Sequence, residues 1–251
     1  MELIYEIFSQ VPQQGPGDRD STRRAWTALK DLPSSPHILD IGCGAGRQTI
    51  DLAQLTIGTI TALDNYQPFL DTLAQKARQE TLKARIETVQ SSMMSLPFPK
   101  ETFDLIWSEG AIYIIGFEKG LTQWRDFLKP GGFLAVTEVT WLRTDPPDDL
   151  ARFWVEEYPA MKTQEENLEV ARSLGYRAVD WFVLPELAWW DSFYTPLRKI
   201  LDTLRPDYQS EAEAIQFFDM LQSEIDMFRK YHDWYGYVFY VLRKSRFPLD
   251  T

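Results

Sequence analysis

The chain reads as an α/β protein, a mostly parallel sheet with helices on both faces, and three observations lead there. The first is an apolar run, Ile38-Leu-Asp-Ile, that breaks into glycines at alternate positions, Gly42, Gly44 and Gly46, before the helix-compatible segment Arg47 to Gln54. The second is the alternation of strand and helix signals between residues 38 and 139. The third is size: 251 residues, 44% hydrophobic and 25% charged, are enough to bury a full core in one elaborated domain.

Taken in order, Met1 to Phe8 is apolar enough for a short helix, and Val11 to Asp18 is a loop dense in Pro and Gly. Asp20 or Ser21 can cap a helix reaching about Lys30, with Ala25, Ala28, Leu29 and Leu32 roughly on one side. Strands at 38–41, 59–63, 86–90, 103–107 and 133–139 then interleave with helices at 46–54, 68–83 and 118–128. Trp141 to Lys162 reads as irregular. A helix from about Gln164 stops at Gly175, and Tyr176 to Val183 is a sixth strand. About fifty residues intervene before the last strand, Tyr235 to Leu242. They hold helical segments near 196–204 and 211–231, the longer with Ile215, Phe218, Leu221, Ile225 and Phe228 at helical spacing. The expected layout is a single domain: an N-terminal helical segment (1–34), a core (35–140), sheet completion (141–184), a helical cap (185–233) and the last strand with its tail (234–251).

Composition excludes several classes. A formal net charge of −11 argues against a phosphate-binding surface, so no nucleic-acid partner is expected. The single cysteine, Cys43, forms no internal disulfide and supplies no metal cluster. No apolar run reaches membrane-spanning length, and the first residues lack a basic region followed by an apolar one, so a cytoplasmic location is expected.

Glycines at a strand-to-helix turn let a ligand lie against bare backbone. A dinucleotide fingerprint needs a third glycine at position 47, where this chain has Arg47, and that disfavours a nicotinamide dehydrogenase. Thr59 to Asp64 reads as a second strand ending in an acid, and a carboxylate there can accept both hydroxyls of a ribose. Further on come Ser91-Ser-Met-Met-Ser-Leu-Pro-Phe-Pro99, Phe103-Asp-Leu-Ile-Trp-Ser108 and Leu128-Lys-Pro-Gly-Gly132. In this order the landmarks resemble those of the class I S-adenosylmethionine (SAM)-dependent methyltransferases of the small-molecule type, including a bacterial group of methyltransferases of unassigned substrate. An arsenic methyltransferase would need several cysteines.

The resemblance implies a Rossmann-like, doubly wound seven-stranded sheet, mostly parallel with an antiparallel last strand, and a helical cap inserted between strands 6 and 7. It implies SAM as cofactor and S-adenosylhomocysteine (SAH) as product. Backbone N–H groups around Gly42, Cys43 and Gly44 would face the methionine portion, with Gly46 closing the turn and Asp40 fixing the ammonium directly or through water. Asp64 would bind the ribose, with Asn65 sharing it or facing the adenine. Ser92 stands where many relatives have Asp, and Met93 packs on the purine or in the core. Ser108 and Glu109 follow the fourth strand, beside the transferring methyl. Glu109 either holds a substrate amine, acts as a base, contacts SAM through its backbone or is a surface acid. Tyr113 and His232 are further catalytic candidates, each with a packing or capping alternative, while His37 is expected to be structural.

Methyl transfer from a sulfonium is driven by positioning and water exclusion. The acceptor is expected to be a small molecule, amine-bearing or apolar, met by Trp141, Trp154, Trp189, Trp190, Phe193 and Tyr194. Arg19, Arg23 and Arg24 can bind a carboxylate or lie on a solvated face. The assembly expected is a monomer or homodimer, and the alternative function is a SAM-binding sensor or scaffold without turnover.

Overall fold

A sheet wound from its middle outwards organises the chain. The computed structural model describes residues 2–82 and 85–245. In chain order the helices are α1 (Glu2–Gln10), α2 (Arg19–Thr27), α3 (Arg47–Leu55), α4 (Gln67–Gln79), α5 (Phe117–Trp124), α6 (Asp148–Glu157), α7 (Gln164–Ser173), α8 (Leu187–Trp189), α9 (Thr195–Leu204) and α10 (Ala212–Tyr231). The strands are β1 (His37–Ile41), β2 (Thr59–Asp64), β3 (Ile86–Gln90), β4 (Phe103–Ser108), β5 (Leu128–Trp141), β6 (Lys162–Thr163), β7 (Tyr176–Val183) and β8 (Tyr235–Lys244).

The sheet order is β3-β2-β1-β4-β5-β8-β7, with the short β6 pairing with β5. The first five strands are parallel, while β8 runs antiparallel to both β5 and β7. Strand order reverses beside β1, so the loops after β1, β2 and β4 open onto one crevice, where ligands of such sheets bind. Alternation along each strand splits the core. Ile38, Ile60, Leu105 and Trp107 pack with α2, α3 and the cap, whereas Leu39, Ile41, Leu63 and Ile106 pack with α5 and Tyr176. Asp40 shares the face of Ile38 and is therefore fully buried under α3.

Helices α8 to α10 lie between β7 and β8, with a π-helical turn over Trp190–Tyr194 joining α8 to α9. Trp189 stacks on Phe228 at 4.3 Å, and Tyr194, Phe218 and Ile225 are buried. Burial of each such side chain contributes about 1.5–3 kcal/mol. Helix α1 is held from two directions: Tyr5 stacks on Tyr66 at 3.8 Å, and Tyr208 donates to Glu6 at 2.5 Å.

Several boundaries differ from the expectation. Residues 141–162 are not irregular throughout, because α6 forms there. Pro147 precedes it and Asp148 and Asp149 occupy its first turn, which suits the positive end of the helix dipole. The N-cap of α2 is Asp18 rather than Asp20 or Ser21, its carboxylate accepting from the Ser21 N–H at 2.8 Å. The two-residue β6 brings the sheet to eight strands. The expected end of the fourth helix at 83, Met1 and the tail from 246 lie outside the described residues.

Candidate cofactor and acceptor cleft

The turn after β1 is built for close approach. Gly42, Gly44 and Gly46 have φ of +70°, +53° and +84°. A Cβ on Gly42 would lie 2.5 Å from the Ala111 Cβ, and one on Gly46 would lie 2.3 Å from Leu73 Cδ1. The N–H groups of the turn nevertheless point into the protein. Those of Gly42 and Cys43 donate to the Leu63 carbonyl, Gly44 donates to Asp64 Oδ2 at 2.9 Å, and Ala45 donates to Gln14 Oε1 at 2.9 Å. This corrects the expectation that these donors face a ligand: what the turn presents is bare backbone surface.

Three cavities run together along this crevice. A cavity of about 340 Å³ follows Gly42, Gly44, Asp64, Asn65, Ser92 and Met93. A pocket of about 50 Å³ lies behind the turn, against Cys43, Arg47, Gln48 and Glu109. A chamber of about 260 Å³ opens beneath the cap, walled by Phe153, Trp154, Tyr158, Trp189, Phe193 and Tyr237. Gln14 and Gly110 line all three, so the cavities meet where the α1–α2 loop crosses the end of β4.

Asp64 ends β2 with both oxygens already anchored, Oδ2 by the Gly44 N–H and Oδ1 by the Tyr66 N–H at 3.0 Å. Burial pushes its carboxyl pKa up, while those N–H groups pull it back down. Each oxygen keeps a lone pair for a further donor. Ser92 is exposed and its Oγ accepts from the Met94 N–H. Met93 is half-buried, its carbonyl accepting from Trp124 Nε1.

Glu109 is 8% exposed and lies in the small pocket, away from the aromatic chamber. Its carboxylate accepts from Thr22 Oγ1 at 2.8 Å and Trp107 Nε1 at 2.9 Å, and pairs with the Arg47 guanidinium. That corrects the role of a free acid beside the acceptor. Arg47 also reaches Thr22 and Asp51, while its Nε is buried without a partner.

Asp40 and Ser108 line none of the three cavities. Asp40 accepts from Thr49 Oγ1 at 2.6 Å, and burial lifts its pKa to about 7. Ser108 donates to the Ile41 carbonyl at 2.9 Å and ties β4 to β1. Gly46 caps α3 against Leu73. Cys43 is buried and its thiol is pushed up by desolvation, the opposite of what a nucleophile needs. His37 packs on Phe103 at the far end of the sheet.

Tyr113 is 41% exposed as a whole residue and borders both the first cavity and the chamber, where desolvation of its phenol together with Glu224 and Glu138 pushes it up to about 12. His232 caps α10 beside Glu186 and Asp233 and reaches no part of the crevice. Trp154, Trp189 and Phe193 wall the chamber, whereas Trp141, Trp190 and Tyr194 do not. Arg19 and Arg23 pair with Asp51 and Asp20, and Arg24 lies over the Phe182 ring.

Gln14, Arg47, Glu138 and Glu224 belong to this region although their sequence context did not single them out for it. Gln14 alone had a local signal, a polar residue in a Pro- and Gly-dense loop. Its amide also donates to the Phe8 and Val11 carbonyls, which ties α1 to the glycine turn.

Known proteins resemble this chain in sequence over its core and in fold over most of its length. The family model of a methyltransferase domain matches residues 38–132. The sterol 24-C-methyltransferase ERG6B of Gibberella zeae is 31% identical over 113 residues, 45% of this chain, which spans 29% of that relative's length. An uncharacterised methyltransferase, YodH of Bacillus subtilis, is 24% identical over 97% of this chain and all of its own. A SAM-dependent methyltransferase from Geobacter sulfurreducens, solved with SAH, superposes with a TM-score of 0.81 over 96% of this chain and 97% of its own, at 19% identity.

Proposed function

Because the chain belongs to the class I SAM-dependent methyltransferases, we propose that it transfers a methyl group from SAM to a small-molecule acceptor by in-line displacement. The observation that carries the reading is the junction at Gln14 and Gly110, where the cavity along Asp64 meets the aromatic chamber. One side suits a nucleoside and the other a small organic molecule.

The residues present fit the cofactor. The glycine turn leaves room that a Cβ would fill, and Asp64 has free lone pairs for two ribose hydroxyls. Asn65, Ser92 and Met93 would flank the adenine. The unpartnered Arg47 Nε, in the small pocket, suits the methionine carboxylate. Glu109 would act as a positioning residue, holding Arg47 in place rather than taking a proton. Asp40 would stand one layer behind, fixing α3 through Thr49. The bound cofactor supplies a methyl made electrophilic by its sulfonium. The chain then has to align the acceptor and exclude water, a task that would fall to the cap and α1, which both line the chamber. Tyr113 stays protonated at neutral pH and would orient the acceptor by donating a hydrogen bond. The buried thiol of Cys43 suits a cytoplasmic setting.

The test is calorimetric titration with SAM, SAH and NAD, followed by an acceptor screen with methyl-labelled SAM. Binding of the first two but not NAD, with label transfer, is expected. Preferential NAD binding, or SAM binding without transfer across the screen, would overturn it.

A further inference from the structure

The chamber under the cap is an aromatic space with an acidic lining. None of its lining residues is Lys, Arg or His, and two are acids, Glu157 and Glu224. On α10 the face that carries Phe217, Leu221 and Phe228 is interrupted by Glu224, so helical spacing brings a carboxylate in among the rings. Among the described residues that carboxylate takes one side-chain hydrogen bond, from Tyr194 at 2.8 Å, and no ion pair. A third acid, Glu138, sits behind the wall, accepting from Tyr158 at 2.7 Å with its Oε2 buried and unpartnered.

Resting on the reading that this chamber takes the methyl acceptor, we propose that the acceptor carries a positively charged amine, with its charge at Glu224 and its apolar body against the aromatic wall. A carboxylate half-buried among rings and lacking a counter-charge is unfavourable by itself and favourable once a cation arrives. The faces of Trp154, Trp189 and Phe193 add cation–π attraction. An anionic acceptor would meet repulsion without a partner. A neutral apolar one would leave Glu224 desolvated and unpaired. Burial and then Glu224 are among the causes that push the Tyr113 and Tyr237 phenols of the chamber wall up, and burial pushes the Glu224 carboxyl itself up, as expected of an acid without a counter-charge.

The probes are phenethylamine, 2-phenylethanol and phenylacetate, alike in shape but cationic, neutral and anionic at pH 7.5. Each is titrated calorimetrically into protein saturated with SAH. The amine should bind at least about tenfold more tightly than the alcohol, and phenylacetate most weakly. In Glu224→Gln the amine preference should fall to within about twofold, with SAH affinity unchanged as evidence of folding. Glu157→Gln, an exposed acid of the same lining, should keep most of it. Equal or tighter binding of the alcohol or the anion, binding of none of the three, or full amine preference in a folded Glu224→Gln protein overturns the proposal. Failure of SAH to bind instead counts against the cofactor reading. The amine preference then remains measurable on the free protein.

Discussion

The two halves of the crevice are made in different ways. The half along Asp64 comes mainly from short stretches after parallel strands, 42–44, 63–65, 91–94 and 110–114, closed over by α1 and Gln14. The chamber under the cap is assembled from α1, the α1–α2 loop, α6, the cap and β8, which are far apart in sequence and meet only through packing. The turn of the first half is held at positive φ, which glycine adopts without steric cost, by N–H bonds to Leu63, Asp64 and Gln14. The second is specific because side chains of unrelated segments happen to converge. Damage to the first should therefore abolish binding of the nucleoside, whereas damage to the second should change what is accepted.

The sharpest break is Gly42→Ala. Positive φ together with a clash against Ala111 should lower SAH affinity by at least about 30-fold, as strain and overpacking of about 2–4 kcal/mol imply, in a calorimetric titration. Asp64→Asn keeps the shape and removes the charge. The loss expected is about 10- to 100-fold in SAH affinity, with little change in melting temperature. On the other side, Phe153→Ala should raise the acceptor KM by about three- to tenfold and leave the KM for SAM where it was. If both constants moved together, the two halves would not be separable.

A fourth prediction concerns pH. Burial raises the Glu138 pKa to about 8, far above an unfolded carboxyl. The folded state therefore binds more protons than the unfolded state between about pH 4.5 and 8. The contribution of this group to stability falls as pH rises through that window and levels off above it. Glu138→Gln should gain on the parent as pH goes from 5 to 8, by up to a few kcal/mol, read from denaturant midpoints at both pH values. A constant difference would contradict the burial argument. The smallest effect is His232→Ala, which should alter SAH binding and turnover by less than about twofold because its ring lies outside the crevice.

The contrast also decides what could be read from the chain alone. The doubly wound sheet and the glycine turn were legible because alternation and turn chemistry are local signals, whereas the antiparallel direction of β8 followed from the family resemblance. The place of Asp64 at the end of β2 was legible from the same local signals. The direction of the turn's N–H groups was not, since it depends on the Leu63 carbonyl and on Gln14 from another segment. Glu109 drew notice for its position after β4, yet its partner Arg47 lies 62 residues earlier. The helix α6 carried a readable start in Pro147-Asp-Asp, obscured by the prolines that preceded it. Glu224 gave no sign, because one acid on an amphipathic helix looks like a solvated residue until the packing direction is known.

The most direct test is the position of the sulfur in a crystal structure of the SAH complex. The ribose should lie on Asp64, and the sulfur should sit at the junction of Gln14 and Gly110, facing the aromatic chamber. A sulfur turned away from that chamber, or a ribose remote from Asp64, would contradict the division of the crevice into a cofactor half and an acceptor half.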